Sequence, residues 1–396
     1  MKVLFINTVY GRGSTGRIVA ELGEKLVSEG DDFAVAYGRG KKVKGENVYF
    51  IGNKITYYWH ALLSRFTDRA GFYSKFATKR LIKFIKKYNP DVIHLHNLHG
   101  YYLNIKILFD FIKDEFNGKV VWTLHDCWAF TGHCTHFSFI KCDKWKSGCF
   151  NCDGKKSYPS SIFKDNSKKN YLQKKEIFSN VKNMTIVTVS DWLKEEVNNS
   201  FLNQYEVVRV YNGIDCNKFA PVEENVKEKL KIQDKKMILL VSDGFDERKG
   251  FNTFLSVASI APENWHFIIV GVNKEQIKIL PKNATGFERI WNQKELIEFY
   301  SSADVFFNPS VEETFGLVTA EAMACNTPAV VMNSTACPEL IVSNDAGEVV
   351  DLSAMPEEII TILSKNMLKK GNQKQYIERD FSIEKYLQGY LEIYKK

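Results

Sequence analysis

Two glutamates eight positions apart, Glu313 and Glu321, lie in the stretch Asn308-Pro309-Ser310-Val311-Glu312-Glu313-Thr314-Phe315-Gly316-Leu317-Val318-Thr319-Ala320-Glu321. A buried strand is expected to end at Asn308, with a loop and then a helix that Asn326 terminates in a left-handed cap. At the start of that helix the amides of Thr314, Phe315, Gly316 and Leu317 point outward, where the helix dipole stabilises a diphosphate. Glu313 in the loop and Glu321 inside the helix flank this place and can accept hydrogen bonds from sugar and ribose hydroxyls. Upstream, Val241 to Gly250 carries Arg248 and Lys249. No D-x-D motif argues for Mg²⁺.

A second set of candidates lies in the first half. His125 follows an apolar strand and stands beside Asp126; His94, His96 and His99 end another strand. Of these last, His99 with Asn97 is assigned to a ligand cleft, and His94 and His96 to packing. Gly11-Arg12-Gly13-Ser14-Thr15-Gly16 has the G-x-G-x-x-G spacing ahead of a helix. In the dinucleotide fingerprint an acid ends the second strand and holds the ribose; here that strand ends Tyr37-Gly38-Arg39. The loop is therefore read as a tight turn that lets Gly13, Ser14 and Thr15 approach a ligand. Arg39 keeps an NADP-dependent oxidoreductase as the alternative. Cys134, Cys142, Cys149 and Cys152 form a C-x7-C-x6-C-x2-C set. It reads either as a tetrahedral structural zinc site, closed to catalysis by its four sulfur ligands, or as reduced thiols packing an insertion.

The elements that must position these residues alternate. Strands are expected at Lys2–Asn7, Phe33–Tyr37, Val92–His96, Val120–Leu124, Thr185–Val189 and Val207–Val210, with amphipathic helices between. The pattern restarts at Met237–Ser242 and continues through Glu348–Val350. Strand–helix alternation of this kind builds parallel sheets, and 396 residues suffice for two. The expected class is α/β: two doubly wound domains facing a cleft, with ligands at the strands' carboxyl ends. Charge divides with them. Residues 1–215 hold 33 basic and 21 acidic side chains, whereas residues 216–396 hold 21 and 26, within a total of +7. The polar segment Asn217–Lys236 reads as a linker.

The apolar run at the N-terminus stops at Asn7 and no stretch is long enough to span a bilayer, so the expected compartment is the cytoplasm. The expected helix Tyr73–Tyr88 places Phe76, Ala77, Leu81, Ile82 and Ile85 on one face and Lys75, Lys79, Arg80, Lys83, Lys86 and Lys87 on the other. That basic face, with Lys164–Lys175, fits an anionic membrane surface. No nucleic-acid-binding module is visible.

The spacing of Glu313 and Glu321, the intervening Phe-Gly-Leu and the following Glu-Ala-Met-Ala with Thr327-Pro328 resemble the retaining glycosyltransferases of family 4, which have the GT-B fold. Tyr211-Asn212-Gly213-Ile214-Asp215, Glu295 to Val305, Cys337-Pro338-Glu339-Leu340 and Phe381-Ser382 to Tyr394 resemble further family segments in the same order. His94 to Gly100 and Thr123 to Cys134 are most similar to the colanic-acid and exopolysaccharide branch. The resemblance implies domains 1–214, joined by a crossing helix at 380–396, and 215–379. It implies that Glu313 contacts the donor sugar, Glu321 the nucleotide ribose and Lys249 the diphosphate, and that His125 faces the sugar. Gly244 stands where the family has a second cation, leaving Arg248 to substitute; Ala336 and Asn326 replace common glycines. The implied activity is metal-independent transfer, with retention, of a hexose from a nucleotide-diphosphate sugar, UDP-linked by preference. The implied acceptor is a lipid-linked glycan in capsule, exopolysaccharide or O-antigen synthesis. A nucleotide-sugar epimerase of the same architecture is the other alternative.

Overall fold

In the computed structural model, which describes residues 1–396, the apolar runs form two all-parallel sheets in two compact units. Strands buried on both faces read as near-continuous apolar runs. Lys2–Asn7 (β1), Val92–Leu95 (β4) and Met184–Thr188 (β6) are of this kind. With Asp32–Tyr37 (β2), Val48–Phe50 (β3), Lys119–Leu124 (β5) and Glu206–Arg209 (β7) they make the first sheet, ordered β3-β2-β1-β4-β5-β6-β7. Its helices are Gly13–Ser28 (α1), Lys54–Thr67 (α2), Lys75–Tyr88 (α3), Ile105–Asp114 (α4), Ser167–Phe178 (α5) and Asp191–Asn198 (α6).

The second sheet holds Lys236–Val241 (β8), Trp265–Val270 (β9), Ala284–Phe287 (β10), Val305–Asn308 (β11), Ala329–Met332 (β12) and Gly347–Val350 (β13), in the order β10-β9-β8-β11-β12-β13. Its helices are Val226–Lys229 (α7), Phe251–Ile260 (α8), Lys274–Lys278 (α9), Gln293–Ser302 (α10), Leu317–Ala324 (α11), Pro356–Met367 (α12) and Lys374–Asp380 (α13). One core joins Ile238, Leu240, Phe254, Phe267, Ile269 and Phe307. In each sheet the strand order reverses once, between β1 and β4 and between β8 and β11. Carboxyl ends at such a reversal leave a crevice between diverging loops.

By contacts, the first unit is Met1–Val210 with Gly389–Lys396 and the second is Tyr211–Gln388. The division at residue 389 has a clear cause in the last helix, Ile383–Lys395 (α14). Its start belongs with the second unit: Ile214 N donates to Phe381 O, and Ile383 N to Ile214 O. Its end completes the first unit. There the Tyr394 hydroxyl meets His94 Nδ1 at 2.6 Å, and the Tyr390 hydroxyl meets Thr123 Oγ1 at 2.9 Å.

Three parts of the sequence reading change. The edge strands β3 and β10 were not expected; being half-covered, they lack the apolar runs of central strands. The helices α2 and α5 were not expected either, because polar residues face inward on both: His60 and Ser64 on α2, and Ser167, Asn170 and Lys174 on α5. On α3 the buried residues are Ala77, Thr78, Leu81 and Ile85, while Phe76 is 82% exposed, since the helix begins at Lys75 and its inward face runs from Ala77.

The Tyr394–His94 bond gives a test. Tyr394→Phe leaves a fully buried imidazole nitrogen without that partner. The expected loss in urea unfolding is about 1–3 kcal/mol, and unchanged stability would show that the bond carries no weight.

Candidate active site

The reversal between β8 and β11 brings two loops together, residues 242–250 and 309–316. Gly250 permits the approach: its φ is +74°, and a Cβ there would lie 2.2 Å from the Pro309 carbonyl oxygen. Val311 N donates to Arg248 O at 3.0 Å, and Arg248 Nη1 donates to Glu312 O at 3.2 Å. Held this way, Lys249 Nζ stands 2.5 Å from Glu313 Oε1, with the two side chains 17% and 16% exposed. Glu313 is fixed through its backbone, its N–H donating to Thr335 Oγ1 at 2.9 Å and its carbonyl accepting from Ala336 N. The structure thus joins two of the sequence candidates, Lys249 and Glu313. Arg248 instead braces the second loop from below, with Asp246 4.0 Å away.

Glu321 lies in the second turn of α11 and is buried, accepting from the Tyr300 hydroxyl at 3.0 Å. A solvated role for it is excluded by that burial. Gly316 caps the helix, which begins at Leu317. Phe315 turns its ring into a cluster with Tyr211 and Phe381. What it can offer a ligand is its backbone amide, alongside those of Thr314, Gly316 and Leu317. Asn326 adopts a left-handed φ of 60° just past the helix and accepts from Lys374 N.

In the first unit the reversal lies between β1 and β4. Gly11 and Gly13 both have positive φ, and Gly11 N closes the loop on Gly16 O at 2.9 Å. Gly13 and Ser14 are exposed; Thr15 accepts weakly from Asn7 Nδ2 at 3.4 Å. Across the reversal, the Asn97 carbonyl accepts from Thr8 Oγ1 and from the Tyr102 hydroxyl. His99 is buried against Trp128 and Tyr158, with Nε2 3.4 Å from Asp126 Oδ2. His125 Nε2 meets His96 Nδ1 at 3.0 Å. His94 and His96 are core residues, as expected from their place inside the strand end. Beside the end of β2, a side chain at Gly38 would collide with Tyr102 Cβ at 2.1 Å, and the Arg39 guanidinium lies over the Tyr57 ring. Tyr102 thus fills the space next to β2, and Arg39 is turned toward an aromatic ring.

Two contributors were misplaced or missed in the sequence: Tyr158 was not singled out, and Lys174, read within the basic surface stretch Lys164–Lys175, is buried. Lys174, buried in α5, donates to the Trp128 and Thr131 carbonyls at 2.7 and 3.0 Å and lies 3.5 Å above the Trp128 ring centroid. Burial lowers its pKa to about 7. It braces the segment that carries His125 and Asp126. Tyr158, against His99, has its hydroxyl pKa raised by burial. Neither carries a local signal; both are brought in by the irregular segment 125–166 and the helix that follows it.

That segment also gathers the four cysteines. Cys134, Cys142, Cys149 and Cys152 line one small cavity beneath Trp145 and Phe137. Cys134 Sγ and Cys152 Sγ are 3.6 Å apart, and Gly132 N donates to Cys149 Sγ at 3.1 Å. No group of three or more His, Cys, Asp or Glu side chains already stands as a metal-ligand set.

Residues 222–380 match the family model of glycosyl transferases group 1, and residues 15–218 that of glycosyltransferase family 4. The two matches and the two-sheet fold define the class, the GT-B glycosyltransferases. Within it, the chain belongs to glycosyltransferase family 4. It is similar to a 41.2 kDa protein in the cps region of Klebsiella pneumoniae, at 26% identity over 326 residues, covering 80% of this chain and 81% of that one. It is 25% identical over 225 residues to CapM of Staphylococcus aureus, a capsular polysaccharide biosynthesis glycosyltransferase, covering 50% of this chain and 57% of CapM. The solved structure of Anabaena HepE with UDP and glucose shares the fold, at a TM-score of 0.68 and 14% identity over 99% of this chain and 98% of that one.

The buried histidines set a pH dependence. Burial lowers His60 to about 3 and His125 to about 4, and holds His94, His96 and His99 below the usual range. The unfolded chain takes these protons near pH 6.5, so it binds more protons than the folded chain between about 6.5 and 4. Stability therefore falls as pH drops through that window, by about 1.4 kcal/mol per pH unit for each of His60 and His125, and His94, His96 and His99 act in the same direction. His133 opposes this: burial pulls its pKa down, but the Asp68 carboxylate outweighs burial and raises it. Thermal melts should show a clear loss between pH 7.5 and pH 5, and equal melting temperatures would contradict the assignment of neutral buried imidazoles.

Proposed function

We propose that the chain transfers a hexose, with retention, from a UDP-sugar to a hydroxyl of a lipid-linked glycan in surface polysaccharide synthesis. The observation that carries the reading is the Lys249–Glu313 pair at the strand reversal, ahead of α11, with Glu321 in the second turn of that helix. The amides at the start of α11 and the ammonium of Lys249 would hold the diphosphate. Glu313 would accept from sugar hydroxyls and Glu321 from the ribose, with Tyr300 holding one of its oxygens. As the bond from the anomeric carbon to the phosphate oxygen breaks, the pair of electrons stays on the phosphate, beside Lys249. The acceptor oxygen bonds to the anomeric carbon on the same face, and its proton passes to the leaving phosphate oxygen. No metal is required in this scheme, because the lysine and the helix amides supply the positive field. His125, neutral near pH 7, would serve as a hydrogen-bond partner to the sugar rather than as an acid, while Gly13, Ser14, Thr15, Asn97 and His99 would serve the acceptor. The UDP preference draws on HepE, which binds UDP and glucose; the polysaccharide assignment draws on CapM and the cps-region protein.

Glu313→Gln and Lys249→Ala should each lower transfer by about 10²–10³-fold, the loss typical of one charge-stabilising group, with melting temperatures close to wild type. Assays with a panel of nucleotide sugars and NMR of the anomeric centre identify donor and stereochemistry. Retained activity in both variants sinks the site assignment; an epimer formed without acceptor supports the epimerase, and NADPH consumption at 340 nm supports the oxidoreductase.

The thiol cluster is assigned a structural part in the same proposal, as a zinc site bracing the segment 125–166. The 3.6 Å separation of Cys134 and Cys152 suits two ligands of one tetrahedral zinc, for which Zn–S bonds of about 2.3 Å set the edge. Binding would have to draw Cys142 and Cys149 onto the same centre. Elemental analysis should find one zinc per chain; four titratable thiols in a metal-free, fully folded protein would remove the idea.

A further inference from the structure

Helix α2 carries its apolar residues on the wrong side for packing. Ile55, Tyr58, Trp59, Leu62, Leu63 and Phe66 are all exposed, Trp59 by 59%. Their spacing of three, four, seven, eight and eleven from Ile55 makes one continuous stripe. The inward side is polar: His60 Nδ1 meets Ser74 Oγ at 2.8 Å, and Gly71 N donates to His60 Nε2 at 3.2 Å. Asp68, in the left-handed cap of the helix, accepts from Asn166 N. Polar contacts therefore anchor the helix, and folding leaves the stripe unused.

The stripe continues beyond the helix. Phe163 stacks on Phe66 with centroids 5.2 Å apart, and Ile162 N donates to Arg65 O at 2.8 Å; both Ile162 and Phe163 are exposed. The flanks are basic, with Lys54, Arg65, Lys75, Lys79 and Arg80 exposed. From residue 51 to residue 90 the one acidic side chain is Asp68, which is buried.

We infer that α2, extended by Ile162 and Phe163, is an interfacial helix that lies in the surface of an anionic bilayer. Fourteen residues give it a length of about 21 Å, and no helix of the protein is long and apolar enough to cross a membrane. A helix with an apolar stripe, aromatic residues and basic flanks settles at the headgroup boundary. A second copy of the chain fits less well. A two-fold interface sets the same patch against itself, which would oppose two basic rims with no exposed carboxylate between them. Anionic lipid neutralises the same rim. The inference deepens the lipid-linked acceptor reading and rests on it for its purpose. It also shifts the membrane-facing role from the basic residues of α3 and of Lys164–Lys175 to the apolar stripe of α2.

The test is flotation of the full chain with phosphatidylcholine vesicles with and without phosphatidylglycerol, for wild type and for Trp59→Ser/Phe66→Ser. Both substituted side chains are exposed, so the fold should survive, which a thermal melt checks. Wild type should bind the anionic vesicles, and the double variant at least tenfold more weakly at equal salt. Lys79→Glu/Arg80→Glu should reduce the salt-dependent part while binding to the stripe persists. Equal binding by wild type and the Trp59/Phe66 variant overturns the inference. So does a wild-type dimer in sedimentation that the same variant converts to monomer, since that makes a second copy the occupant. Transfer to a water-soluble acceptor is measured in parallel. Vesicle binding without transfer to a lipid-linked acceptor counts against the function proposed above and leaves the interfacial helix standing; transfer without vesicle binding does the reverse.

Discussion

A glycine pressed against a proline carbonyl sets the geometry of the loops that follow β8 and β11. Gly250 lies so close to Pro309 that no side chain fits, and its positive φ turns the preceding residues toward the loop after β11. That contact places Lys249 against Glu313 in a setting only one-sixth exposed, where a charge pair is screened far less than on an open surface. A lysine already paired with a carboxylate keeps its ammonium oriented, so little rearrangement is needed for it to face a second anion. The same loop uses Arg248 on the Glu312 carbonyl, which accounts for an arginine next to the lysine that does not join the pair.

The first unit gathers neutral groups instead. His94, His96, His99 and His125 crowd the carboxyl ends of β4 and β5, and burial keeps each of them deprotonated near pH 7. Neutral imidazoles both donate and accept, which suits hydroxyl-rich ligands better than fixed charge does. Lys174 reinforces this from behind by tying down the Trp128 and Thr131 carbonyls. The net charge of this half, read first as an attraction for anionic partners, is carried mostly by surface lysines, while uncharged rings line the carboxyl ends of β4 and β5.

How much the sequence revealed follows from how local each signal is. Central strands were legible because burial on both faces forces unbroken apolar runs, as in Val3–Ile6 and Met237–Leu240. The pair of Glu313 and Glu321 was legible because loop and helix are contiguous there. The closeness of Lys249 to Glu313 was legible only through resemblance, since 64 residues separate them. Two neighbours of the first unit's histidines were hidden, because Tyr158 arrives from an irregular segment without periodicity and Lys174 from a helix whose inward face is polar. Helix α2 escaped notice for a different reason. Its stripe is strongly periodic, but a pattern does not say which side is inside, and its apolar side faces out.

The last helix has a consequence for the order in which the protein can become whole. The strands of the first sheet are complete by Arg209, yet His94 and Thr123 find Tyr394 and Tyr390 only after the entire second unit has been made. Domains generally fold as units, N-terminal first, while the chain is still being synthesised. Here the first unit would wait with His94 and Thr123 bonded only to each other, and it would gain its final stability only when the helix beginning at Ile383 closes over them. Completion of the first unit is thereby tied to the prior synthesis of the second.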